Sequence, residues 1–421
     1  MISKWYQEIK ELTENIFHHP ELGYEEWHTR KITIDYIKKN LPQVTFKDFA
    51  RTGFAFDLPG AENKELKMCY VAELDAVYLP SHFQADPKTG AAHVCGHYTQ
   101  VGIALALLKE LLEDDFYKSL DFGVGFVFVP AEEYLDLEHR KALREQGEIY
   151  YLGGKPEGMR LGIFDSYDFA ISAHAMGGEY PEPSIEFLSD LAGFLFKYYH
   201  FKGKASHAGF APWDGVNACS IGVLFQNAIG LLRQQIDETK MIRMNPVFLN
   251  GPMGINVIPD EVEIGTDLRS NSTEYMLLLA KKLDQAAKGS ALALGGEVEI
   301  KTEMGYLPFL QDRFLSQLGL EFFEEYKKIP KCYHHRPIAA AGDIGDLSYM
   351  IPCVQIGYSG FTGTIHGSDF KHKDLQFILS DFPAFLKGYL GYLSGKVKKE
   401  NLYRRSYEEY KEVIDELNKE S

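Results

Sequence analysis

Ala92-His93-Val94-Cys95-Gly96-His97 places a thiol and an imidazole two residues apart, directly before a long apolar stretch. Pro130-Ala131-Glu132-Glu133 closes an apolar, strand-like run, Ala173-His174 closes another, and Ile365-His366 lies further on. Cysteine, histidine and carboxylate drawn from separate loops make a donor set for a divalent metal ion. The adjacent pair Glu132 and Glu133 adds a division of labour, because one carboxylate can bind metal while its neighbour handles protons. These residues together predict a metallohydrolase.

Such a site needs elements to hold it. Ile2 to Phe17 has the periodicity of an amphipathic helix, and Tyr98 to Leu112 predicts a second helix. Phe46 to Leu58, Lys67 to Leu74, Phe122 to Val129 and Tyr167 to Ser172 read as strands. Alternation of strands and helices predicts an α/β catalytic domain, an open mixed sheet with helices on both faces. Ligands of such sheets lie beyond the carboxyl ends of the strands. Asp75, Glu132, Glu133 and His174 all fall at expected strand ends.

The middle of the chain has another rhythm. Strands are expected over Phe194–Gly203, Met244–Leu249, Glu261–Leu268 and Glu297–Thr302, and helices over Val216–Ile236 and Ser272–Lys288. This β-α-β-β-α-β order predicts an inserted ferredoxin-like α+β domain. The expected division is 190–303 for the insert, with 1–189 and 304–421 forming a discontinuous catalytic domain. The tail Lys398 to Ser421, rich in Glu, Lys and Tyr, predicts a solvated helix.

Composition narrows the function further. The 421 residues are 45% hydrophobic and 25% charged, as in an ordinary globular protein of two domains. A net charge of -16 argues against nucleic acid as a partner. No apolar run approaches the roughly 20 residues that span a bilayer, and the first residues hold no apolar signal core. Five scattered cysteines argue for a reducing compartment rather than a disulfide framework. The expectation is a cytoplasmic protein without a membrane partner.

Several motifs, taken in order, resemble one family. They are His18-His19-Pro20-Glu21-Leu22-Gly23-Tyr24-Glu25-Glu26, Leu74-Asp75-Ala76, Cys95-Gly96-His97, Pro130-Ala131-Glu132-Glu133, Gly203-Lys204-Ala205-Ser206-His207-Ala208, Asn256-Val257-Ile258-Pro259-Asp260 and His366. The set resembles the dinuclear metallohydrolases that include aminoacylases, glutamate-releasing carboxypeptidases, hippurate hydrolases and indole-acetyl amino-acid hydrolases. Gly342-Asp343-Ile344-Gly345-Asp346-Leu347-Ser348-Tyr349 is similar to the p-aminobenzoyl-glutamate hydrolase and β-alanyl-lysine dipeptidase subgroup.

The resemblance implies hydrolysis of the amide of an N-acyl or aminobenzoyl amino acid, or of a small dipeptide, by a metal-activated water. A dipeptidase or carboxypeptidase of the same family, or a non-catalytic relative that binds a small ligand, are the alternatives. It implies Cys95, His97, Glu133, His174 and His366 as ligands of two divalent ions, zinc or manganese, with cobalt or nickel substituting in vitro. Glu132 is the implied general base, and Asp75 the residue that orients a ligand. His207 is the implied oxyanion donor, acting across a homodimer formed through the inserted lid domain. Asn256 and Arg269 are candidate substrate contacts, weighed equally against structural roles in strands.

Two departures stand out. Tyr98 and Gln100 occupy positions where the amidohydrolase branch carries Asp and a second His. A segment from Tyr134 to Leu152, with a charged helix-prone run from Asp136 to Glu148, separates the glutamate pair from Gly153-Gly154-Lys155. Its place beside the pocket predicts an influence on substrate choice, weighed equally against a merely solvated face.

Overall fold

The computed structural model describes residues 2–237, 239–251, 254–336 and 338–418. It divides into two compact units. The first holds 1–189, 311–336 and 346–407, and the second holds 190–310, 337–345 and 408–421.

The first unit is built on an eight-stranded mixed sheet. Its spatial order is Lys47–Phe49, Gly53–Asp57, Phe122–Val129, Leu66–Glu73, Phe169–Ala175, Cys353–Tyr358, Ser184–Phe187 and Lys331–His334. The central strand Leu66–Glu73 runs parallel to both neighbours, and Phe169–Ala175 runs parallel to Cys353–Tyr358. All eight residues of Phe122–Val129 are buried, as expected of an inner strand of a mixed sheet covered on both faces. Glu73 is the register partner of Val129, so the chain leaves two adjacent strands at the same height. Asp75 and the pair Glu132–Glu133 emerge there.

The helix His97–Leu112 is buried along its whole length except at Lys109, Glu110 and Leu112. A helix apolar on every side needs cover on every side. The helices Tyr6–Phe17 and Phe382–Leu393 and the strand Leu66–Glu73 all pack against it. That packing pins the helix start, where Cys95 and His97 lie. The turn into the helix uses Gly96 at φ 94°, and a Cβ there would meet the Ala175 side chain at 2.7 Å.

The expected single strand over Phe46–Leu58 is instead a hairpin, Lys47–Phe49 against Gly53–Asp57. Ala50 and Arg51 turn the chain at φ 45° and 65°, conformations that hairpin turns require and that neither residue type advertises. His174 lies inside its strand rather than beyond it.

The second unit carries a five-stranded antiparallel sheet. Gly193–Lys202 pairs with Glu261–Ser270 and with Glu297–Tyr306, while Ile242–Met244 and Val247–Asn250 pair with the far side of Glu261–Ser270. Helices Ala218–Leu232 and Thr273–Ala293 complete the β-α-β-β-α-β order, capped at their starts by Asn217 and Ser272. The long helix continues five residues beyond the expected Lys288, to Ala293. Beneath it, Lys197 and Asp284 form a buried ion pair at 2.8 Å.

The tail departs from the expected solvated helix. Tyr407–Leu417 is amphipathic, and Tyr410, Ile414 and Leu417 are buried. Their spacing places them on one face, and Asn418 accepts a hydrogen bond from the Met304 amide at 2.9 Å. Residues 419–421 lie outside the described residues.

Candidate metal centre

Seven of the expected site residues converge in the first unit. Cys95 Sγ lies 3.4 Å from His174 Nε2, and His366 Nε2 lies 2.9 Å from Glu133 Oε1. Two donor triads result, Cys95–His97–His174 and Cys95–Glu133–His366, each with ligand atoms within 4.8 Å of one another. Cys95 belongs to both. The two triads therefore adjoin through one sulfur, a donor type that divalent zinc accepts.

Asp75 organises this cluster without joining either triad. Its Oδ1 lies 3.1 Å from His97 Nδ1, and its Oδ2 accepts the backbone N–H of Glu133 at 3.0 Å. Its own carbonyl stands 3.0 Å from the same His97 nitrogen. These acceptors fix the proton on Nδ1 and turn Nε2 inward. His97 Nε2 is buried and makes no aligned hydrogen bond, although Glu73 Oε2 is 3.1 Å away. An imidazole held by a carboxylate, with its other nitrogen unused, is the arrangement a metal-binding histidine needs.

Without a cation the donors charge one another: burial lowers His97 and His366, but Cys95 and Glu73 outweigh it at His97 and Glu133 outweighs it at His366, so both are held above an ordinary imidazole. Burial pushes the Cys95 thiol well above the usual range, and Glu133 adds to the effect, so a cation is required to make it a thiolate. Burial also holds His174 below an ordinary imidazole, leaving it neutral. Burial raises the Glu133 carboxyl, but His366 and His97 outweigh it and bring Glu133 to about 2. The residues fit a pair of divalent ions.

Sequence reasoning missed Glu73. Its carboxylate, 1% exposed, meets Lys155 Nζ at 2.6 Å and receives Gln100 Nε2 at 2.6 Å. Glu73, His97 and Glu132 form a third set of neighbouring donor atoms. Gln100 also accepts the Glu73 amide at 3.3 Å, so this departure from the family pattern is absorbed by a hydrogen-bonded partnership. Tyr98 turns away and bonds through its hydroxyl to His372 Nδ1 at 2.8 Å. The signal for Glu73 was its place one residue before the turn that carries Asp75, on the face opposite its strand neighbours.

His207, Asn256 and Arg269 belong to the second unit. His207 lies on a short ribbon that pairs Ser206–His207 with Val257–Ile258. Its Nδ1 accepts the amides of Gly209 and Phe210 at 3.2 and 3.0 Å, which leaves the proton on an exposed Nε2. Asn256 is exposed, and its carbonyl accepts the Ala208 amide at 3.0 Å. The Arg269 guanidinium binds Asp267 at 2.8 Å and the Ala339 carbonyl at 3.1 Å, over the Phe194 ring. Those contacts tie Arg269 to its own strand and to the segment at Ala339.

The chain matches known proteins over most of its length. It is 28% identical over 359 residues to human Xaa-Arg dipeptidase, covering 81% of this chain and 74% of that protein. It is 27% identical over 332 residues to an N-acetyldiaminopimelate deacetylase of Streptococcus pneumoniae, covering 73% and 78%. In fold it is similar to a dinuclear metal-binding M20 peptidase of Bacillus subtilis, with a TM-score of 0.74 at 16% identity over 93% of this chain and 99% of the other. Residues 69–389 match the model of peptidase family M20/M25/M40. The chain belongs to that family and is a hydrolase of amide bonds.

Proposed function

We propose that this protein hydrolyses the amide of an N-acyl amino acid or a small dipeptide-like substrate, with Cys95, His97, Glu133, His174 and His366 holding two divalent ions. The observation that carries this reading is the pair of triads sharing Cys95, beside a glutamate that belongs to neither. Ions held there would supply Lewis acidity and an acidified water. Glu132, with Oε2 3.8 Å from His97 Nε2, takes the proton of the attacking water and returns it to the leaving nitrogen. Asp75 keeps His97 and the Glu133 backbone in place. His207 offers its Nε2–H to the developing oxyanion, and Asn256 and Arg269 are the second unit's candidates for holding the substrate's polar end. Zinc and manganese suit the mixed sulfur, nitrogen and oxygen donors.

A homodimer through the second unit accompanies this reading. Val223, Leu224 and Leu231 on one helix, with Val247, Phe248 and Leu249 on the neighbouring strand, are exposed apolar residues. Phe248 touches the helix at Gly222, so the patch is continuous, and a second copy is the occupant that buries it. Five free cysteines, and no helix among the described residues long and apolar enough to cross a membrane, support a cytoplasmic setting.

The test is turnover of a panel of N-acyl amino acids and dipeptides after loading with zinc or manganese, together with elemental analysis. Two ions per chain and hydrolysis of at least one substrate class are expected. The ratio of rates on acyl amino acids and on dipeptides separates amidohydrolase from dipeptidase. Ligand binding without turnover in the fully metallated protein would leave the non-catalytic alternative.

A further inference from the structure

The segment from Tyr134 to Leu152 contains the helix Leu137–Glu145. Most of its charged side chains face water, as a solvated face would. Arg140 does not. It is 1% exposed and is among the largest fully buried side chains of the molecule. Its Nη1 donates to the carbonyl of Ala131 at 3.2 Å and to that of Leu152 at 2.9 Å. Its Nη2 stands 3.9 Å from Asp75 Oδ2, and the guanidinium lies over the Tyr24 ring.

Each contact bears on the site. Ala131 precedes Glu132 and holds φ at 53°, a conformation that a non-glycine residue keeps only when its surroundings enforce it. The enforcement is visible on both sides of the residue. Its amide donates to Glu26 Oε1 at 2.9 Å, and its carbonyl accepts from Arg140 and from the Gly154 amide at 3.2 Å. That backbone twist aims Glu132 and Glu133. Asp75, fully buried, is the acceptor for both His97 and the Glu133 amide, and Arg140 supplies a buried positive charge beside it. A buried carboxylate without a compensating charge is costly. Gly23, within the N-terminal motif, makes room: a Cβ there would lie 2.2 Å from Arg140 Nη2 and 2.8 Å from Ala131 Cα.

We infer that Arg140 is a positioning residue for hydrolysis, delivered by the inserted segment to clamp the Ala131 peptide and balance Asp75, so that Glu132, Glu133 and His97 keep their working geometry. The inference rests on the hydrolase reading given above. It assigns the segment a part in building the site, whether or not the segment also touches substrate.

The test uses the full-length, metal-loaded protein and its cobalt-substituted form, with Arg140→Met and Arg140→Lys. Arg140→Met should lose roughly 10–100-fold in kcat, the usual effect of removing support from a metal site, with KM little changed. The visible bands of bound cobalt should shift in Arg140→Met and return toward wild type in Arg140→Lys. A merely structural brace would lower Tm yet leave kcat and the cobalt bands of the folded protein as in wild type, and that result would overturn the inference. If Arg140→Met does not fold, Gly23→Ala presses on both Nη2 and the Ala131 backbone that it clamps, without removing the charge. Native kcat and native cobalt bands in folded Arg140→Lys and Gly23→Ala overturn the inference too. Failure of all three variants to fold makes Arg140 a fold determinant and also overturns it. A wild-type protein that binds no metal and cleaves no amide would instead sink the hydrolase reading itself.

Discussion

Glu73, Asp75 and His97 are each at most 1% exposed, and carboxylates, amides, an ammonium and a guanidinium surround them. His207 and Asn256 in the second unit are exposed; the His207 imidazole accepts two backbone amides, and the Asn256 carbonyl accepts one. The buried group shares its partners, so changing one residue alters the surroundings of the others. The exposed residues have few partners to disturb. Substitution in the first region should therefore change chemistry, metal binding and stability together, whereas in the second it should change binding or assembly and leave the fold alone.

The largest effect is expected at Glu132. Glu132→Ala should keep both ions and lose about 10²–10⁴-fold in kcat, measured alongside metal content; near-normal turnover would remove Glu132 from the mechanism. Next comes Lys155→Met, which strands Glu73 without its ammonium. A cost of about 3–5 kcal/mol in unfolding free energy is expected, measured by urea titration of the metal-free protein. Burial raises the Glu73 carboxyl, yet Lys155, His97 and His174 outweigh it and bring it to about 2. A carboxyl depressed in this way stabilises the fold above its ordinary value of 4.5 and loses that contribution as pH falls from 4.5 to 2. Lys155→Met should flatten that acid-side slope, and an unchanged slope would show that the lysine is not the counter-charge that matters.

Asp75→Asn follows, with roughly 10–100-fold weaker metal binding by chelator competition; unchanged affinity would mean that His97 needs no orienting partner. In the second region, His207→Ala should leave Tm and metal content at wild-type values while lowering kcat. Mixing it with Glu132→Ala should restore some activity through hybrid sites. No recovery after proven subunit exchange would exclude action in trans. The smallest effect on the folded chain is expected from Leu231→Asp with Phe248→Asp. The pair should leave Tm of the isolated chain nearly unchanged and shift sedimentation from dimer to monomer.

The same contrast explains what was legible in the sequence. Cys95, His97, Glu132, Glu133, His174 and His366 could be singled out from their chemical types, their expected places in the chain and the family motifs they complete, and the fold brings them together. Glu73 and Arg140 could not, because their meaning comes from partners distant in the chain. Lys155 is 82 positions from Glu73, and Asp75 is separated from Arg140 by the helix His97–Leu112 and the strand Phe122–Val129, among other elements. The charged run around Arg140 resembled any solvated helix, and only burial distinguishes Arg140 from its charged neighbours. The tail misled in the opposite sense: Tyr410, Ile414 and Leu417 carried a helical apolar stripe that the surrounding charges masked. The hairpin over residues 47–57 was hidden because Ala50–Arg51 lacks the glycine or asparagine that usually marks such a turn.

The spread of the donor residues along the chain bears on how this protein matures. Cys95 and His97 leave the ribosome early, His366 only after residues 190–310 and 337–345 of the second unit have been made. A nascent chain therefore holds one triad in waiting long before the other can close, and the sulfur common to both must stay reduced and unclaimed through that interval. With the proposed ligands, the second donor triad is complete only once synthesis has passed His366. Because ion binding adds its free energy only to a fold in which the donors have met, ions held by the proposed ligands would favour molecules in which both triads have closed.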